Sequence, residues 1–212
     1  MKSLTKPRFQ QMRLMKQRGL VLFLALIAIL VMSLAAVALI RSVDTSTIIA
    51  GNLAFKRAAT TSADAGAETA IAWLAATQTA NTAKNVLIDA THAFNTTDAT
   101  RGYYSNVDPA LDLFADATWT AATAIPSVTD NSGNTIRYVI QRMCRTANVA
   151  IQNADCLFSG AIVDTNGQNI PLPQDICDGP GCPVAGQTPQ IRITTRTTGP
   201  KNTVSYVQAF VY

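Results

Sequence analysis

Four cysteines set the first chemical choice in this chain of 212 residues: Cys144, Cys156, Cys177 and Cys182. An even set of thiols can close disulfides or hold a metal. Zinc asks for Cys-x-x-Cys pairs or histidine partners. These spacings offer neither, and the one histidine, His92, lies far upstream in a polar stretch. In an exported body the even count argues for two disulfides. Three pairings are possible. Cys144–Cys156 with Cys177–Cys182 is preferred because each closes a local loop, the second around the turn-forming run Asp178-Gly179-Pro180-Gly181.

Carboxylates are the next candidates. Asp108, Asp112 and Asp116 fall four apart after the Asp108-Pro109 step. On one helical face they could hold a cation. The plainer reading is an Asp cap, a Pro at the first helical position and a solvated face. Asp164-Thr165-Asn166-Gly167 opens like a calcium loop but lacks the later ligands and the closing Glu; a hairpin turn is expected instead. There is no phosphate loop, and one histidine without partners makes no nucleophile triad. The chain is therefore read as a non-enzyme, with no catalytic residue, no metal and no cofactor.

The elements around these residues are set by an uneven charge distribution. Six of the 17 Lys and Arg lie in the first 18 residues, and no acidic residue precedes Asp44. Beyond residue 19 the chain holds 11 basic against 13 acidic residues, a balance of −2. The basic character belongs to the leader, so the body lacks the charge for a nucleic-acid-binding face. Residues 20–40 read LVLFLALIAILVMSLAAVALI, with Ser33 the one polar residue. As a helix this stretch spans roughly 31 Å, about the hydrocarbon thickness of a bilayer. The basic flank places residues 1–18 in the cytoplasm and the C-terminal body outside. A cleaved secretory signal ending near Ala36-Val37-Ala38 is the competing reading, but the apolar run is longer than that class uses and continues past that point.

The junction Gln17-Arg18-Gly19-Leu20 sets a Gly directly before the apolar run and after a polybasic leader. This resembles the leader of type IV prepilins. The resemblance implies cleavage between Gly19 and Leu20 by a prepilin peptidase and N-methylation of Leu20. Farther on come Ala50-Gly51-Asn52, then Ala63-Asp64-Ala65-Gly66-Ala67-Glu68 with Ala70, Ile71 and Leu74, and near the end Ile191-Arg192-Ile193-Thr194, Gly199-Pro200-Lys201-Asn202-Thr203 and Val207-Gln208. Together these resemble the PilX-type minor pilins over roughly residues 17–75 and 136–212. Residues 80–130 show no such resemblance. One position departs from the commoner pilin pattern: Leu24 stands where major pilins carry a Glu that can pair with a neighbour's N-terminal amine. PilX-type pilins and the K-type pseudopilins of type II secretion are similar in this, which suits a tip or priming subunit.

Five segments follow: a cytoplasmic leader, 1–19; a transmembrane or fibre-core helix, 20–40; a head-packed helix, 41–78; a variable region, 79–135; and an antiparallel sheet of about four strands with two disulfides, 136–212. A continuous helix from Leu20 to Thr77 would be roughly 87 Å long, with Gly51 free to bend it, to break it or to serve packing. A short helix is expected near Lys84–Ala93. Strands are expected over 136–143, 157–164, 190–198 and 203–212, with Asn166-Gly167 as a hairpin turn. The fold class is α+β, a pilin fold with a long N-terminal helix. The resemblance implies a minor pilin that primes or caps a type IV pilus. Its partners would be other minor pilins, the major pilin and the prepilin peptidase. It would sit in the inner membrane before assembly and in an extracellular pilus afterwards. A pseudopilin of a type II secretion system, or a tip adhesin contacting host surfaces or DNA, are the alternatives.

Overall fold

The computed structural model describes residues 18–120, 123–126 and 133–212. The leader up to Gln17 lies outside the described residues. The chain divides into two compact units, Met1–Gly51 and Asn52–Tyr212. One helix, α1 (Arg18–Ala80), contributes to both.

In the first unit every described residue from Gly19 to Ala50 is exposed. The helix there is long and apolar enough to cross a membrane by length and composition. No polar stripe interrupts Leu20–Ile40, so nothing marks one side as a solvent face.

In the second unit the buried positions of α1 are Ala59, Ser62, Ala63, Gly66, Ala67, Ala70 and Leu74. Steps of three and four place them on one face, and six of the seven side chains are small. The helix backbone can therefore lie close to the sheet beneath it. A Cβ added at Gly66 would stand 2.5 Å from Thr195 Cγ2 and 2.7 Å from Ile136 Cγ2.

That sheet is built from β1 (Tyr103–Tyr104), β2 (Ile125–Pro126), β3 (Thr135–Arg142), β6 (Ile191–Gly199) and β7 (Thr203–Val211). Strands β3, β6 and β7 are antiparallel neighbours, with Ile140 opposite Ile193 and Ile193 opposite Ala209. Two short strands, β4 (Phe158–Ser159) and β5 (Thr188–Pro189), pair separately.

The expected antiparallel sheet of about four strands is corrected in two respects. The sheet has five strands and is mixed, because β1 joins β3 in parallel. Both β1 and β2 come from the variable region, 79–135, where no strand was expected. Gly102, at φ 66°, makes the tight turn before β1, and two-residue strands are too short to show a period. The stretch expected as a strand over 157–164 is ordered mostly by loop contacts, and only Phe158–Ser159 is strand.

Two cores flank the sheet. Ala67, Ala70 and Leu74 of α1 pack with Tyr138, Ile140, Ile193, Phe94 and Tyr103. On the opposite face Val139 packs with Tyr104, Trp119 and Ala124. Neighbouring Tyr103 and Tyr104 point to opposite faces, one into each core, as successive strand residues must. Strand β3 is therefore buried on both faces from Tyr138 to Arg142.

Beyond Ala80, where α1 ends, the variable region contains no α-helix among its described residues. Near Lys84–Ala93 the expected helix is replaced by turns, because Asn85 Oδ1 accepts from the Leu87 N–H and Asp89 Oδ1 from the Thr91 N–H. The expected helix after Pro109 is absent for the same reason. Asp108 accepts from the Ala110 N–H and Asp112 from the Phe114 N–H, both at 2.9 Å. Asx turns of this kind compete with helix formation.

Candidate functional site

At the leader junction, Gly19 and Leu20 both lie in α1 and both are exposed. Among the described residues, nothing beyond its chain neighbours and its own helix backbone lies within 4 Å of where a Gly19 Cβ would stand. Leu24 is 57% exposed. Ser33 donates to the Leu30 carbonyl at 2.8 Å, so the one polar side chain of Leu20–Ile40 has a partner in its own helix. That is what a polar group in an apolar medium requires.

Gly51 is helical and has open space around it. Neither a break nor a packing contact occurs there. The packing glycine is Gly66. Beside it Asn134 Nδ2 donates to Ser62 Oγ at 2.9 Å, and Thr60 and Ser205 hydroxyls meet at 3.1 Å.

Two disulfides, Cys144–Cys156 and Cys177–Cys182, close the loops between β3 and β6. Cys144 and Cys177 are buried. The second loop is tied to the variable region, where Asn85 Nδ2 donates to the Ile176 carbonyl at 2.8 Å. The Asp164 carboxylate accepts from the N–H groups of Asn166 and Gln168 at 2.9 and 2.8 Å. It is spent on a turn that bridges Val163 and Asn169.

Asp108, Asp112 and Asp116 do not form one face. The first two cap turns, and Asp116 pairs with Arg196 of β6. Among the described residues no group of three or more His, Cys, Asp and Glu is placed to hold a metal.

A buried polar node went unnoticed in the sequence. Arg142 is 1% exposed. Its Nε donates to the Ser105 carbonyl at 2.9 Å, its Nη2 to the Val149 carbonyl at 3.0 Å, and its Nη1 to Asn95 Oδ1. Burial lowers its pKa and the neighbouring Tyr103 opposes that shift. Asn95 in turn donates to the carbonyls of Val86 and Asp89. One guanidinium thus ties four segments together through neutral acceptors. His92 is buried beside it. Its Nδ1 accepts from the Phe94 N–H at 3.1 Å, and its Nε2 has no hydrogen-bond partner among the described residues. Burial holds the imidazole below its ordinary pKa; Lys84 and Arg142 lower it further and Asp89 opposes them.

The outer face of β6 and β7 carries a second unexpected feature, a groove of about 590 Å³ walled by residues 111–114 and floored by Arg192, Thr194, Tyr206 and Gln208. The alternation of β6 and β7 was readable, but not that residues 111–114 fold across them. Comparison with protein-family models, with curated proteins and with solved structures finds no match to this chain.

Proposed function

We propose that this chain is a minor pilin of the PilX type, a structural, non-catalytic subunit that primes or caps a type IV pilus at or near its tip. The observation that carries the reading is α1 itself. After Gly19 it presents 21 residues with one polar side chain, all exposed. Farther along it presents a small-residue face on which a sheet packs. An exposed apolar surface of that extent must be covered by lipid or by other helices. A pilin uses both in turn, lipid before assembly and neighbouring helices in the fibre.

Supporting this are the polybasic leader, the Gly before the apolar run and the apolar Leu24. A carboxylate at position 24 would be costly in lipid unless paired. A subunit without it needs no acceptor below its own helix, which fits a tip or priming position. The partners in this reading are the prepilin peptidase, other minor pilins and the major pilin. The protein resides in the inner membrane, N-terminus cytoplasmic, and then in an extracellular fibre.

The deciding measurement is the mature N-terminus. Sequencing that begins at N-methylated Leu20 is expected; a start at Met1 or near Leu39 overturns the reading. Deleting the gene should abolish surface pili. Loss of type II secretion with pili intact would instead favour a pseudopilin. Immunogold labelling spread evenly along fibres would sink the tip position.

A further inference from the structure

Phe114 is 86% exposed, yet its loop is firmly built. Asp112 accepts from the Phe114 N–H, the Thr118 hydroxyl donates to the Asp112 carbonyl at 2.6 Å, and the buried Trp119 indole donates to the Leu113 carbonyl at 2.9 Å. The pair between Asp116 and Arg196 fastens the same loop to β6. An aromatic ring held in water forgoes most of the hydrophobic free energy that burial would give, and the contact this ring makes inside the chain is with another aromatic at the groove. Its ring centroid lies 6.1 Å from that of Tyr206, which also meets Trp119 at 5.9 Å and the Arg196 guanidinium at 5.9 Å.

We propose that the groove beside these rings is a binding site for a neutral saccharide. Its size falls within the range of small-molecule sites, which pair aromatic walls with a few placed polar groups. Phe114 and Tyr206 offer faces for the C–H side of a pyranose. The floor offers alternating donors and acceptors for its hydroxyls. Gln208 Nε2 donates to the buried Thr194 Oγ1 at 3.1 Å, which fixes the Gln208 amide and leaves its Oε1 to accept. Arg192 Nη2 donates to Gln141 Oε1 at 2.6 Å, which steadies the guanidinium and leaves its Nη1 for a ligand. Asp112 supplies one further acceptor at the wall. Neighbouring donors and acceptors match a vicinal diol.

Charge selects against other ligands. Among the described residues that line it, the groove holds one cation without a carboxylate partner, Arg192, and one carboxylate, Asp112, while Arg196, outside that lining, is committed to Asp116. Nucleotides and other polyanions need a basic excess, which neither the groove nor the body has. This inference is independent of the pilin reading, since no residue of the first unit takes part.

The test uses the full chain in lipid nanodiscs, with empty nanodiscs as control. Saturation-transfer NMR is run with lactose, maltose, cellobiose and diacetylchitobiose, and with AMP and a heparin-derived disaccharide as charged probes. Transfer to ring C–H protons of at least one neutral disaccharide is expected. Phe114→Ala should weaken that binding about tenfold or more, the loss of one aromatic contact and its buried area. Gln208→Ala should weaken it too. Phe210→Ala, exposed on the same face of β7 but outside the groove, should not change it. No transfer to any neutral probe, binding unchanged in Phe114→Ala, or tighter binding of the charged probes would each overturn the proposal.

Discussion

Gly66→Ala opposes two known magnitudes within one helix. Replacing a helical Gly by Ala ordinarily stabilises by about 1 kcal/mol, through lost unfolded-state entropy. At Gly66 the new methyl would lie 2.5 Å from Thr195 Cγ2 and 2.7 Å from Ile136 Cγ2. Both neighbours are β-branched and stiff at χ1, and both stand on adjacent strands, β3 and β6. Neither can swing aside, so α1 must lift from the sheet. Overpacking of that kind costs about 1–3 kcal/mol. The net expectation is a loss of about 1 kcal/mol, or roughly 2–4 °C in melting temperature for a chain of this length. Gly66→Val adds two more methyl carbons and should cost more than Ala.

Gly51 is the internal control. A Cβ there meets nothing within 4 Å, so Gly51→Ala keeps the propensity gain without the clash. The assay is thermal melting of the full chain in detergent, followed by near-ultraviolet circular dichroism, with Trp73 and Trp119 as reporters of the two cores. If Gly66→Ala melts at or above the parent temperature, the close approach of helix and sheet is wrong.

Further outcomes follow from the same unit. Arg142→Ala leaves Asn95 Oδ1 and the Ser105 and Val149 carbonyls without their donor, and should destabilise by about 3 kcal/mol or more, at about 1–3 kcal/mol for each unsatisfied buried acceptor; Arg142→Lys should recover little, since one ammonium cannot reproduce the fork. The His92 pKa is lowered in the folded state, so the unfolded chain binds the extra proton first. Stability should then be flat above about pH 6.5, fall as the pH drops below it and level off beneath the folded pKa; pH-dependent melting checks this, and His92→Gln should flatten the slope. The Asp89 carboxyl is also lowered, first by its hydrogen bond from the Thr91 hydroxyl, and its contribution fades at more acid pH, below the ordinary Asp value, so the two windows separate. Replacing Cys144 and Cys156 together by Ser should cost about 2–3 kcal/mol from loop-closure entropy, read as a lower midpoint in urea.

Local patterns in the sequence carried the elements that depend on neighbours along the chain. The apolar run of Leu20–Ile40 and the alternation of β6 and β7 are local patterns, so they could be read directly; the packing glycine could not, and the structure places it at Gly66 rather than Gly51. Asp108, Asp112 and Asp116 show where periodicity misleads. Their spacing of four suggested a helix, but each Asp side chain can satisfy a backbone N–H two residues on, and at Asp108 and Asp112 that bond was made instead. The strands β1 and β2 were illegible for another reason. Each is two residues long and exists only because β3 offers an open edge.

Arg142 and Phe114 were missed for a shared reason that points to where new chemistry can arise in this fold. Both lie in or against expected strands, and in both cases the partner is a segment distant in sequence: residues 95, 105 and 149 for Arg142, strand β7 for Phe114. The helix-facing side of the sheet is constrained by the tight contact at Gly66 and tolerates few changes in volume. Among the described residues the outer side is covered by Tyr104, Leu111, Leu113, Trp119 and Ala124, and part of it is left open as the groove. Substitutions in that covering loop can reshape the groove without touching the contact between α1 and the sheet. A ligand-binding surface can therefore vary on this face while the helix-bearing scaffold stays fixed, the same division by which rigid elements elsewhere carry functional loops.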